Sequence, residues 1–154
     1  MIKNIFYFIT ATILPLLVFA LLFSLWKVDF TMPFFGYGWD ASLSVFEVKN
    51  ILHSGWLLSN NMVGLPYIEG EFYWYDFPVY IEFLSTLLVK FLGIFSSNAF
   101  VVANCFFILT VMLVSGASFL VLRHFKISIL TSILISVLYA FLPYHFVRAI
   151  WHIF

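Results

Sequence analysis

Polarity along this chain falls in long blocks. No charge occurs between Lys3 and Lys27, and about 20 apolar residues suffice to cross the hydrocarbon core of a bilayer. The pattern predicts a first membrane span over 4–26. A cleaved signal peptide is the rival reading, but its apolar core is usually about 7–15 residues long and ends in small residues. The run here is longer and ends Phe23-Ser24-Leu25-Trp26, which favours a signal anchor. A second uncharged run, Ala99 to Leu122, stops at Arg123-His124-Phe125-Lys126 and predicts the second span. Residues 127 to about 144 predict the third. Cations gather in cytoplasmic loops, so Lys3, Arg123 and Lys126 are expected inside and the segment between the first two spans outside.

That segment, 27–98, has a different texture. Asp40 precedes a helical pattern and Gly55 follows it, residue types suited to an N-cap and to a C-terminal left-handed position. A short helix is predicted over 41–54. Ala41, Val45, Val48 and Leu52 form its apolar stripe, while Asp40, Ser44 and Glu47 follow another face. Such a helix suits the membrane surface. From Trp56 to Asp76, Asn60-Asn61, Gly64, Pro66 and Gly70 supply turn chemistry and predict a loop. Residues 78–92 carry Glu82, Ser85, Thr86 and Lys90 on one helical stripe, and at about 1.5 Å per residue are short for a crossing. An interfacial or bundle-facing helix from Pro78 is expected, ended by Gly93 and Ser96-Ser97-Asn98. If it crossed fully, Arg123 and Lys126 would lie outside.

Composition sharpens the class. The chain is 64% hydrophobic and 9% charged, whereas about a quarter of the residues of a soluble domain are charged. An all-α integral membrane protein is expected: one membrane domain over 1–154, with about three transmembrane helices and amphipathic helices in an extracytoplasmic loop over 27–98. With seven Lys and Arg in all there is no basic face for a nucleic-acid backbone, and that class of partner is excluded. Cys105 is the single cysteine, so there is no intrachain disulfide and no cysteine metal cage.

All seven acids (Asp29, Asp40, Glu47, Glu69, Glu71, Asp76 and Glu82) fall in the expected outer segment or at its borders, so carboxylate chemistry belongs there. Asp40 has two compatible roles. A cap is the commoner one for an Asp before a helix; a general base is the other, since a carboxylate held by a helix start is rigidly placed. Glu69, Glu71 and Asp76 read first as a solvated face, and second as oxygen ligands for a divalent cation; their spacing matches no specific metal loop. Trp74 and Tyr75 suit the headgroup level, or stacking on a sugar. His145, Arg148 and His152 stand at i, i+3 and i+7. They make either a polar helix end or a phosphate contact, for which arginine's planar fork is suited. The two histidines lie about 10 Å apart along a helix axis, too far to share a metal, and no metal site is expected. A glycine-rich phosphate loop, a serine nucleophile elbow and HExxH are all missing from the sequence.

The order of these features resembles a known family. An outer loop opens Gly36-Tyr37-Gly38-Trp39-Asp40, followed by V-x-x-I-L-x-x-G-W from Val48 to Trp56, Gly64-x-Pro66, an aromatic stretch, Asp76-Phe77-Pro78, and later Leu142-Pro143-Tyr144-His145 with Arg148. Together they resemble the N-terminal module of GT-C glycosyltransferases, membrane enzymes that use polyprenyl- or dolichyl-phosphate sugars, and especially YfhO-like and mannosyltransferase-like members. The resemblance covers nearly the whole chain and rests on short patterns in an apolar background. It implies a hexosyltransferase with Asp40 as base or acceptor-positioning group, and Arg148, His145 and His152 on the lipid phosphate. Glu47, Trp74 and Tyr75 complete the substrate side. It implies no cofactor, a divalent cation being the alternative, and a multi-pass protein of the cell membrane with a cytoplasmic N-terminus. Its partners would be a lipid-linked sugar donor and membrane lipids. The chain is shorter than members of that family, and no acid follows Arg148, as expected of an N-terminal fragment whose remainder is a further partner. The competing class is a non-catalytic membrane subunit or lipid-handling transport component, in which the outer loop binds a partner or a headgroup.

Overall fold

A computed structural model of the chain describes residues 2–34, 39–54 and 79–146. All the regular structure there is helical. In order it comprises α1 (Ile2–Phe23), a 3₁₀ turn (Leu25–Lys27), α2 (Trp39–Ser54), α3 (Val79–Gly93), α4 (Ala99–His124) and α5 (Ile129–Ala140), with one more helical turn over 143–146. Among the described residues, three stretches are long and apolar enough to cross a membrane: Asn4–Phe23, Ala99–His124 and Ile129–Phe146. Helix α3, 15 residues or about 22 Å long, is shorter than the roughly 30 Å hydrocarbon core.

The described residues form two compact units. One contains α1, α4 from Phe107 onward, and α5; the other runs from Phe30 to Phe106.

In the first unit α1 and α4 run antiparallel. Contacts pair Phe8 and Thr12 with Gly116, Ala11 with Ser115, and Phe19 with Phe107. Helix α5 packs on α1 and runs parallel to it, because Phe141, just past its end, meets Phe19, late in α1. Lys3 and the α4–α5 turn with Arg123 and Lys126 therefore lie at the same end of this unit. Along α5 the buried residues include Ser132, Ser136 and Ala140, while Leu130, Leu134 and Leu138 are exposed, both sets at intervals of four. Helix α1 buries Ala11, Pro15 and Phe19 and exposes Ile5, Ile9, Ile13, Leu17 and Leu21. A helix folded by water buries its large apolar side chains. Small and hydroxylated residues inside with leucine outside is the pattern of helices packed in lipid.

The turn between α4 and α5 is closed by its own backbone. Lys126 takes a left-handed φ of 61°. The Ile127 N–H donates to the Leu122 carbonyl at 3.1 Å and the Lys126 N–H to the Arg123 carbonyl at 3.0 Å. This pair of bonds is the Schellman arrangement, with lysine where glycine is usual. Arg123 Nη1 donates to the Ile127 carbonyl. Ser128 then caps α5 by accepting from the Thr131 N–H at 3.3 Å.

In the second unit α2 packs on α3 around Val48, Ile51, Val89, Val102, Ala103 and Phe106, with Val45 and Leu52 beside them. Three of the four residues of the expected α2 stripe are thus in the core or against it. Thr86, from the polar stripe of α3, is fully buried. Helix α4 begins where Asn98 Oδ1 accepts from the Phe100 and Val101 N–H groups at 2.9 and 3.3 Å, an N-cap inside the expected break.

Candidate functional site

The segment that leads into α2 is held by one side chain of α4. Asn104, 5% exposed, uses its amide fully. Nδ2 donates to the carbonyls of Phe30 at 3.0 Å and Met32 at 2.8 Å, and Oδ1 accepts from the Phe34 N–H at 3.1 Å. Backbone groups of an irregular segment must find partners where water is excluded. A primary amide offers two donors and an acceptor in one plane, so a single residue satisfies three of them. The Phe30 and Phe34 rings pack edge to face at 5.0 Å.

Five residues beyond Phe34, α2 begins. It starts at Trp39, so Asp40 is the second helical residue and not the residue before the helix. Expected helix starts shift by a residue or two in this way. A carboxylate in a first turn is favoured by the helix dipole, an effect of about 0.3–1 kcal/mol at exposed sites. Glu47 lies seven residues further along the same helix, close to two full turns. The side chains of Asp40 and Glu47 lie outside the described residues.

In the first unit, Phe146 meets four other phenylalanine rings. It stacks on Phe19 (6.3 Å, 9°), Phe23 (5.8 Å, 27°) and Phe141 (5.9 Å, 26°) and meets Phe107 edge to face (5.9 Å, 70°). Aromatic pairs in such geometries contribute about 0.5–1.5 kcal/mol each beyond their burial. This cluster docks the turn over 143–146 onto the C-terminal end of α1. His145, in that turn, lies edge-on to Tyr139 at 5.5 Å and Tyr144 at 5.8 Å. Its Nε2 is buried with no hydrogen-bond partner among the described residues. An imidazole nitrogen in that state is a ready donor or acceptor for a ligand oxygen.

Of the residues singled out in the sequence, the structure places Asp40 and Glu47 on one helix and sets His145 between two tyrosines. Arg148, His152, Trp74, Tyr75, Glu69, Glu71 and Asp76 lie outside the described residues. No group of three His, Cys, Asp or Glu suited to a metal occurs among the described residues. Asn104 escaped the sequence reading because 99–122 stood out as an uncharged run. An amide set in an apolar span was the available signal. Phe146 had no such signal among 21 phenylalanines.

No family model matches this chain, and no curated protein or solved structure matches it.

Proposed function

We infer that this protein is a membrane glycosyltransferase of the GT-C type, moving a sugar from a polyprenyl-phosphate donor to an acceptor hydroxyl on the extracytoplasmic face. The observation that carries this reading is the place of Asp40. It stands in the first turn of α2, a helix that follows the first apolar helix in the chain and packs on α3. A base that removes a hydroxyl proton needs such fixed placement.

In the reaction, the acceptor oxygen bonds to the anomeric carbon as the bond from that carbon to the lipid-phosphate oxygen breaks. Asp40 takes the hydroxyl proton. Arg148, with His145 and His152, balances the charge on the departing phosphate. Glu47, Trp74 and Tyr75 bind the sugar or the acceptor. The cell membrane holds the protein with its N-terminus in the cytoplasm. Lys3, Arg123 and Lys126 at one end of the first unit support that orientation. The chemistry requires no cofactor.

The test is transfer in reconstituted membranes, with radiolabelled polyprenyl-phosphate mannose and polyprenyl-phosphate glucose as donors. Asp40→Asn is expected to lower the rate about 10²–10⁴-fold, the usual cost of losing a general base. Absence of transfer by the parent with every donor would instead favour a non-catalytic subunit or lipid-handling component.

A further inference from the structure

Helix α4 has 26 residues and is about 39 Å long, longer than the roughly 30 Å hydrocarbon core. A crossing by α4 therefore carries the turn that follows it to headgroup depth. That turn holds a cation at a cost. Lys126 is exposed and sits at the left-handed φ of 61°, where glycine would be unstrained. Such strain persists where the residue has a use. The Lys126 ammonium has no partner among the described residues, and the one acid in the sequence of this unit, Asp29, lies past the opposite end of α1. Arg123, half-buried, is engaged by the Ile127 carbonyl, so Lys126 is the outward cation of the turn. Beside it Phe125 is 70% exposed and edge-on to His124 at 5.6 Å. Val121 before the turn and Leu130 after it are exposed as well.

We propose that the α4–α5 turn binds an anionic phospholipid, with Lys126 on the headgroup phosphate and Phe125, Val121 and Leu130 against the acyl chains. A cation near a membrane surface favours anionic lipid by about fivefold in binding. The apolar side chains select a lipid over free phosphate, because a soluble anion gains nothing from covering them. A cation here also suits the negative end of the α4 dipole, but that benefit is the same in every lipid. Dependence on headgroup charge therefore isolates the site. The inference is independent of the sugar-transfer reading.

The test uses the full chain in phosphatidylcholine bicelles, where both membrane faces are open to solutes. The background carries Cys105→Ala and a fluorophore on Ser128→Cys, an exposed position two residues from Lys126. Quenching by phosphatidylglycerol with a nitroxide high on one acyl chain is compared with quenching by the matching phosphatidylcholine. With Lys126 in place, phosphatidylglycerol should bind at the label about five- to tenfold more strongly. Lys126→Gln removes the charge and keeps a side chain on the left-handed backbone, whereas Lys126→Gly removes the charge and relieves the backbone. Both should bring the preference within about twofold of none, with the helix content of the background by circular dichroism. Excess glycerol 3-phosphate should leave the quenching unchanged. Equal binding of the two lipids with Lys126 in place overturns the site, as does a preference that survives in both variants. Displacement of the labelled lipid by glycerol 3-phosphate would show a site for phosphate alone and overturns the assignment to phospholipid.

Discussion

Ser115 in α4 donates its hydroxyl, at 2.8 Å, to the carbonyl of Ala11 in α1, the carbonyl that Pro15 leaves without its intrahelical partner. Proline has no N–H, so residue i−4 loses its bond and the helix would ordinarily kink or weaken. Proline inside an apolar helix is tolerated where a neighbouring helix satisfies the freed group, and Ser115 is fully buried where it does so. Ser115→Ala should destabilise the protein by about 1 kcal/mol. Pro15→Ala restores the N–H at position 15, so adding Ser115→Ala to it should cost less. A double-mutant cycle of unfolding in bicelles measures the difference. Equal costs in both backgrounds would show that the hydroxyl does not serve that carbonyl.

The same crossing predicts a steric effect one residue on. A Cβ at Gly116 would come within 2.6 Å of Thr12 Oγ1 and 3.6 Å of Thr12 Cβ. Gly116→Ala should therefore destabilise the α1–α4 contact by about 1–3 kcal/mol. Thr12→Ala should rescue it, because only ordinary contacts remain, to Phe8 Cε2 at 3.4 Å and to the Cβ of residue 12 at 3.6 Å. Unfolding of the two single variants and the double variant checks this, and no rescue would mean that the helices part for another reason.

The spans were legible because charge marks their ends. The second apolar run, read as 99–122, is helix Ala99–His124, and the stretch 41–54 lies in helix Trp39–Ser54. The Ser115–Ala11 bond joins residues 104 positions apart, and hydropathy carries no information on which helix meets which. The start of α2 lies two positions before the expected one, at Trp39 rather than Ala41, so Asp40 falls within the first turn. The clamp on Phe30–Phe34 was hidden because an amide in a long uncharged run leaves its hydropathy almost unchanged.

Lys126 holds a left-handed backbone, which costs an L-residue about 1–2 kcal/mol relative to glycine. Lys126→Gly should stabilise the α4–α5 turn by about 1 kcal/mol, less a part for the freer unfolded chain. Arg123 and Lys3 keep that end cationic. Unfolding in bicelles reads the gain, and a loss of stability would mean that the lysine side chain contributes more than its backbone costs.

Membrane sidedness gives a further prediction. Ser97 precedes α4 and Ser128 follows it, both are exposed, and a 26-residue helix of about 39 Å separates them. Single-cysteine variants at the two positions should label from opposite faces, Ser97→Cys from outside and Ser128→Cys from the cytoplasm. The opposite result would mean that α3 crosses the membrane and that the cationic end of the first unit faces out.

The last prediction separates two ways in which Asp40 contributes. A carboxylate at the second residue of α2 is favoured by the helix dipole, by about 0.3–1 kcal/mol at exposed sites, and as the proposed base it would carry the proton transfer. Asp40→Asn loses both charge effects but keeps the size and polarity of the side chain. Asp40→Glu keeps the charge near the helix start and moves the carboxylate by one methylene. If the carboxylate is the base, Asp40→Asn should lose about 10²–10⁴-fold in kcat. Asp40→Glu should retain parent stability yet lose part of kcat through misplacement. Arg148→Lys should instead raise the donor KM, because an ammonium keeps the charge but not the planar fork that grips two phosphate oxygens. Steady-state transfer with the acceptor and the donor varied separately measures all three. Parent kcat in Asp40→Asn, with lowered stability, would leave Asp40 as a helix-start residue and remove the base from the mechanism.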